Sequence, residues 1–259
     1  MTVWPWSGAL VTGASSGIGE AMARQLGAAG VPTVIVARRA DRLEALAAEV
    51  PGLEVLVADL LTPAGIAAVA ARLADAARPV DLLVNNAGFG RSGRFVEVDA
   101  DASAEQVELN VTALVRLTRA ALPALVARGR GAVLNVSSVA GFQPGPGAAV
   151  YAATKAFVTS FTESLHEELR GTGVTATALC PGYTRTEFQE VSGAVDDVAK
   201  LPSFAWLAAD QVARDGLRDA AAGRVLSIPG TQYKAFVAAG SVVPRTLKRR
   251  IAGWVGERV

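Results

Sequence analysis

Short β-branched and aliphatic runs alternate along the chain with longer Ala- and Leu-rich amphipathic stretches. The short runs, at Ala9–Thr12, Thr33–Ala37, Glu54–Ala58, Leu82–Asn85, Ala132–Val136, Thr175–Leu179 and Arg224–Ile228, each predict a strand. Between them, apolar positions recurring with a helical period predict helices at Ile18–Ala29, Ala40–Val50, Pro63–Ala77, Ser103–Arg128, Ala149–Arg170 and Asp210–Ala222. Runs such as VIVA and LLVN lack polar alternation, as expected of strands covered on both faces. The pattern predicts an α/β fold: a single-domain, doubly wound parallel β-sheet with right-handed crossovers, flanked by helices. No internal repeat and no Pro/Gly/Ser linker divides it.

Two regions break the rhythm. Residues 187–203 (EFQEVSGAVDDVAKLPS) lack a clean period and read as a flap over a ligand. The catalytic body is expected to span 1–230, with 231–259 as a basic amphipathic extension. In its last part Arg245, Lys248, Arg249, Arg250 and Arg258 stand against Glu257, a net +4 that leaves −3 for the rest. Leu247, Ile251, Trp254 and Val255 interleave with these charges. Such a segment offers weak contact with an anionic membrane; the favoured expectation is packing on the body or on another subunit.

Composition removes several functions. The 259 residues are 51% hydrophobic and 19% charged, with mean hydropathy +0.33, ample for a buried core. A formal charge of +1 gives no reason to expect nucleic acid as a partner. With one cysteine, Cys180, and one histidine, His166, a disulfide framework, a zinc finger and an iron–sulfur cluster lack ligands, so no metal is expected. His166 sits in TESLHEELRG, which reads as an exposed helix face, against a Ser-His-Asp triad. No uncharged apolar run is long enough for a bilayer, and the start MTVWPWSG lacks a basic n-region, so a cytoplasmic protein is expected.

The chemistry begins after the first strand. LVTGASSGIGEAMARQL sets Gly13, Gly17 and Gly19 between a strand and a helix, a Rossmann-like context for a dinucleotide. Glycine permits a tight turn and close approach of backbone to a pyrophosphate, and the helix N-terminus offers free N–H groups. The spacing is G-x-x-x-G-x-G, not the common G-x-G-x-x-G. At the end of the second strand stand Ala37, Arg38 and Arg39, where an NAD site would carry a carboxylate for the ribose 2′-hydroxyl. Guanidinium groups there suit a 2′-phosphate, so NADP(H) is expected in preference to NAD(H).

The chain holds three tyrosines and four lysines, yet Tyr151 and Lys155 fall four residues apart in a helical pattern, on one face. A free phenol, with pKa near 10, is a poor acid–base group at neutral pH. Lowering it by about three units takes roughly 4 kcal/mol, which a neighbouring ammonium and a cationic nicotinamide could supply. Ser138 precedes Tyr151 by 13 residues, at the carboxyl edge of the fifth strand, where its hydroxyl could meet a substrate oxygen. Ser137 competes for that role, but strand alternation points it elsewhere.

Together these residues resemble the short-chain dehydrogenase/reductases. The resemblance runs from Gly8 to about Gly230 and rests on TGASSGIG, Asp59, NNAG at Asn85–Gly88, Asn110 in ELNV, Ser138, Tyr151 with Lys155, and PGYTRT at Pro181–Thr186. It implies a catalytic set of Asn110, Ser138, Tyr151 and Lys155, in which the asparagine holds a proton-relaying water and Lys155 also binds the nicotinamide ribose. It implies cofactor contacts from Gly13, Ser15, Ser16, Gly17, Ile18, Gly19, Arg38, Arg39, Asp59, Leu60, Asn85, Ala87, Gly88, Tyr151, Lys155, Pro181, Gly182, Thr184 and Thr186. The reaction implied is direct hydride transfer between NADP(H) and a carbonyl or secondary alcohol, in a homodimer or homotetramer paired through Ser103–Arg128 and Ala149–Arg170. A catalytically silent NADPH-binding sensor or scaffold is the alternative, and the four filled catalytic positions argue against it. Phe89, Phe142, Pro144, Phe188, Phe204 and Trp206 fall in the expected pocket walls, Phe89–Phe95, Gly141–Ala149 and the flap, and suggest an apolar ketone.

Overall fold

A computed structural model describes residues 3–193 and 201–256, so part of the expected flap, 194–200, lies outside the described residues. The chain runs β1 (Ala9–Thr12), α1 (Gly17–Ala28), β2 (Thr33–Ala37), α2 (Ala40–Glu49), β3 (Leu53–Val57), α3 (Pro63–Leu73) and β4 (Leu82–Asn85). It continues with α4 (Ala100–Val107), α5 (Leu114–Arg128), β5 (Gly131–Val136), α6 (Ala149–Glu168), β6 (Val174–Leu179), β7 (Thr184–Arg185) and α7 (Phe188–Ser192). Last come β8 (Leu207–Ala208), α8 (Ala209–Ala221), β9 (Leu226–Ser227), α9 (Thr231–Val242) and α10 (Arg245–Gly256).

Seven strands pair in parallel in the order β3-β2-β1-β4-β5-β6-β9, and β7 pairs with β8. Alternate residues feed two cores. On one face Val11, Ile35, Val84 and Leu134 meet Met22 and Leu26 of α1, Leu43 of α2 and Leu217 of α8. On the other, Leu10, Val34, Leu83 and Val133 meet Val69 of α3, Leu117 and Leu125 of α5 and Leu165 of α6. This two-sided burial explains the uninterrupted apolar strands and confirms the doubly wound expectation. The order reverses between β1 and β4, which opens a crevice at their carboxyl ends.

Several expected boundaries move for local reasons. The third helix ends at Leu73 because Asp75 organises the turn beyond it, accepting from the Ala77 N–H at 3.0 Å and the Arg78 Nε at 3.0 Å. The expected helix Ser103–Arg128 begins at Ala100, with Asp99 as its cap accepting from the Ala102 N–H at 2.8 Å. It then widens into a π-helical turn over Glu108–Ala113. The run Ala100–Arg128 is long and apolar, and Leu114, Leu117, Ala121 and Leu125 bury one face of it against the sheet. The seventh sheet strand shrinks to Leu226–Ser227, while Arg224 turns to Asp219 at 3.1 Å.

Packing does not break at residue 230. Tyr233 of α9 joins the core, its hydroxyl donating to the Ala205 carbonyl at 2.5 Å and accepting from the Tyr183 N–H at 3.0 Å. Lys248 and Arg249 of α10 line, with Gly141–Pro146 and the start of α6, a groove of about 790 Å³.

Candidate active site

The crevice between β1 and β4 is closed by hydrogen bonds that leave little room for side chains. Thr12 Oγ1 accepts the N–H groups of Asn86 and Ala87 at 3.0 Å each, and Asn86 Nδ2 donates to the carbonyls of Thr12 at 2.9 Å and Gly13 at 3.1 Å. A Cβ at Gly13 would lie 2.8 Å from Asn86 Nδ2, and one at Gly19 would strike Asn86 and the Gly13 carbonyl. Gly17, at φ +60°, lies under Thr186, whose Cγ2 a Cβ would meet at 2.9 Å. Ser16 stands at the N-terminus of α1 without spending its side chain on a capping bond. The turn therefore keeps bare backbone and unspent helix N–H groups facing the crevice, and it fits a dinucleotide pyrophosphate. Asn86 and Thr12 hold this turn and were not singled out in the sequence; the doubled asparagine of NNAG was the available signal.

Arg39 lies over the same turn. Its Nε and Nη2 donate to Ser15 Oγ at 3.1 and 3.0 Å, and its Nη1 pairs with Glu187 at 2.9 Å. Arg38 is exposed at the end of β2. Asp59, beyond β3, accepts from the Leu61 N–H at 3.0 Å, and Leu60 beside it is buried. Asn85, expected as a cofactor contact, turns its side chain into the sheet. Its amide donates to Thr118 Oγ1 at 3.0 Å and Asn135 Oδ1 at 2.9 Å. Ala87 and Gly88 follow it into the crevice, and a Cβ on Gly88 would lie 2.8 Å from Asn110 Oδ1 and 3.7 Å from Lys155 Nζ. Pro181, Gly182 and Thr184 form the opposite rim. Thr184 Oγ1 donates to the Gly182 carbonyl at 3.0 Å, and the Pro181 carbonyl accepts from the Val139 N–H at 3.0 Å.

The four expected catalytic side chains converge at the carboxyl edge of β5. Ser138, two residues beyond β5, caps the short turn Val139–Phe142 by accepting from the Ala140 N–H at 3.1 Å, and its hydroxyl favours the ionised form of the Tyr151 phenol. Ser137 turns inward and donates to the Lys155 carbonyl at 2.8 Å, as strand alternation requires. Tyr151 and Lys155 share one face of α6, with Nζ 5.7 Å from the phenol ring centre and donating to the Val136 carbonyl at 2.8 Å. The wide turn turns Asn110 inward: its Nδ2 donates to the Phe89 carbonyl at 2.9 Å and Thr154 Oγ1 at 3.2 Å, and its Oδ1 accepts from the Phe89 N–H at 3.1 Å. Single π turns of this kind recur at functional sites. Asn110 thus positions the NNAG loop against α6. His166 is not a surface residue of that helix in search of a partner; its Nδ1 lies 2.8 Å from the Ala176 carbonyl.

Burial dominates the electrostatics of the chain without its cofactor. In the protein chain alone, burial pushes the Tyr151 phenol up to about 12, partly opposed by Ser138, and pushes Lys155 down to about 8. Desolvation is the foremost cause of both shifts. Phe188 contributes to the cover, its ring centre 5.5 Å from that of Tyr151 and its edge filling the space beside Gly90.

The three expected pocket walls touch one another. The Ser92 N–H donates to the Ser192 carbonyl at 3.0 Å and the Gly93 N–H to the Gly147 carbonyl at 2.8 Å, tying the loop after NNAG to α7 and to the loop before α6. Arg91 lies 5.7 Å from the Phe89 ring centre, and Trp206 packs on Tyr183 under Arg185. Among the described residues no cluster of three or more His, Cys, Asp or Glu gathers to hold a metal.

Residues 7–196 match the family model described as short chain dehydrogenase. The chain belongs to this family. Among its relatives, a sulfoacetaldehyde reductase of Chromohalobacter salexigens is 40% identical over 194 residues, 73% of this chain and 77% of that protein. The NADP-dependent 3-hydroxy acid dehydrogenase YdfG of Salmonella typhi is 40% identical over 195 residues, with the same shares covered. A short-chain dehydrogenase from Sphingobium yanoikuyae, solved in complex with NADPH, superposes with a TM-score of 0.81 at 37% identity, covering 92% of this chain and 96% of that one. The bulky-bulky ketone specific alcohol dehydrogenase of Comamonas testosteroni gives a TM-score of 0.77 at 30% identity, covering 92% and 95%. Family membership makes this short-chain dehydrogenase an oxidoreductase acting on CH–OH or C=O groups of small molecules.

Proposed function

We propose that this short-chain dehydrogenase reduces an apolar ketone at the expense of NADPH. The observation that carries the reading is the convergence of Ser138, Tyr151, Lys155 and Asn110 beside a glycine turn capped by Arg39. The bound nicotinamide cofactor supplies or accepts the hydride. Tyr151 then gives its phenolic proton to the carbonyl oxygen, and Ser138 donates a hydrogen bond to that oxygen as charge grows on it. Lys155 holds positive charge below the phenol and favours phenolate once its proton has left. Asn110 keeps Phe89 and Thr154 in register around these groups.

Preference for NADP(H) is supported by Arg39 above Ser15, by exposed Arg38 beside it, and by the absence of a carboxylate at Ala37–Arg39. An apolar substrate is supported by Phe188 over Tyr151 and by the converging loops that carry Phe89 and Phe142. Pairing between copies of the chain is supported by the half-exposed Phe157, stacked on Phe161 along α6 at 5.9 Å. A panel of ketones and alcohols followed by NADPH absorbance, run with wild type and Tyr151→Phe, tests the reading. Turnover should fall by at least about 10²-fold in the variant while NADPH affinity stays within about twofold. Wild-type turnover in Tyr151→Phe would refute the assignment.

A further inference from the structure

Glu187 opens α7 directly after the PGYTRT rim, yet its carboxylate makes no capping bond to its own helix. It reaches the cofactor side of the crevice instead. One oxygen lies 2.9 Å from Arg39 Nη1, and the other lies 3.4 Å from Arg42 Nη1. Arg39 foremost, with help from Arg42 and the Ser16 hydroxyl, holds this carboxyl below its ordinary range. The backbone fixes its aim. Thr186 packs on Gly17, its Oγ1 accepts from the Phe188 N–H at 3.2 Å, and Gln189 Nε2 donates to the Thr184 carbonyl at 3.0 Å. A carboxylate thus sits on the guanidinium that also binds Ser15 of the phosphate turn.

We propose that Glu187 is a specificity-determining residue that stands in for the cofactor's 2′-phosphate, pairing with Arg39 and Arg42 until NADP(H) displaces it. The inference rests on the NADP(H) reading given above. A dianionic phosphate and a carboxylate compete for the same donors on Arg39, so binding of NADP(H) must break the Arg39–Glu187 pair. NAD(H) carries no phosphate there and leaves the pair intact. Glu187 therefore lowers affinity for one cofactor only and sets how far the enzyme discriminates between them. The pair is solvent-exposed, which confines the effect to less than tenfold. Phe188, the next residue, covers Tyr151, so the same displacement acts on the segment that shields the phenol.

The test is a fluorescence titration of the full chain with NADPH and with NADH, for wild type, Glu187→Gln, Arg39→Ala and the double variant. Glu187→Ala serves as a second removal of the charge, and thermal melts confirm folding. Glu187→Gln should tighten NADPH binding by about three- to fivefold, leave NADH within about 1.5-fold, and lose most of its effect in the Arg39→Ala background. If both Glu187 variants leave NADPH affinity unchanged or weaken it while Arg39→Ala still costs affinity, the proposal falls and the cofactor reading stands. If Arg39→Ala leaves NADPH affinity unchanged, the cofactor reading falls and takes the proposal with it.

Discussion

Lys155 offers a direct measurement of how strained the active site is without its cofactor. Its side chain is 5% exposed, and the ammonium is held by the Val136 carbonyl at 2.8 Å. Desolvation lowers its pKa from 10.5 to about 8. An unfolded chain keeps that proton up to about 10.4. Between these limits the unfolded state binds a proton that the native state has released, so native stability rises with pH across the window from about 8 to about 10.5. At about 1.4 kcal/mol per unit, the gain is roughly 3 kcal/mol. Lys155→Met fills the same space without a proton and should abolish this rise. Tyr151 acts in the opposite sense and later: its folded pKa of about 12 lies above the free value, so its contribution is present below about 10 and is lost as pH climbs beyond. Urea unfolding of both proteins, freed of cofactor, from pH 7 to about 10.5 gives the difference directly. The wild type should gain on the variant by roughly 3 kcal/mol as pH rises. Parallel stability curves would show that the buried ammonium is better solvated than its surroundings imply, and would refute the reasoning.

Two further perturbations probe the crevice and its cover. Gly19→Ala places a methyl group against Asn86 and the Gly13 carbonyl, which should cost about 1–3 kcal/mol in stability and at least about tenfold in NADPH affinity, read by melting and titration; an unchanged affinity would contradict the close packing of that turn. Phe188→Ala opens Tyr151 to water, so the highest tyrosine titration seen by ultraviolet absorbance should move down from about 12 toward 10, and a fixed titration would mean that other groups supply the burial.

The sequence carried the sheet because two-sided burial leaves a direct trace: VIVA and LLVN have nowhere to show a polar face. It carried Tyr151 and Lys155 because helical periodicity brings residues four apart onto one face, and Ser138 over Ser137 because strand residues alternate. It did not carry the charge state of those groups. A phenol and an ammonium near one another suggest mutual stabilisation, but the outcome depends on how much water surrounds them, and Phe188 and the loops that decide this come from distant positions. Asn85 shows the same limit: an asparagine at a strand end faces either the ligand or the sheet, and here Thr118 and Asn135 draw it inward. Glu187 lay within the expected flap without a role, because its partners Arg39 and Arg42 are about 150 positions away and only the fold unites them.

The wide turn at Glu108–Ala113 makes the helical run from Ala100 to Arg128 two cylinders held out of phase. Each residue of a regular helix rotates the chain by about 100°, so a wide turn lets the part before it and the part after it face different neighbours. Asn110 meets Phe89 and Thr154, while α5 still lays Leu117 and Leu125 on the sheet. Loss of a single codon here would restore a regular helix and leave every core side chain chemically unaltered. It would also swing Asn110 away from the NNAG loop or α5 off its core. The alignment of the catalytic groups is therefore encoded in the count of residues as much as in their identity, and a deletion that composition would not register could disable the enzyme.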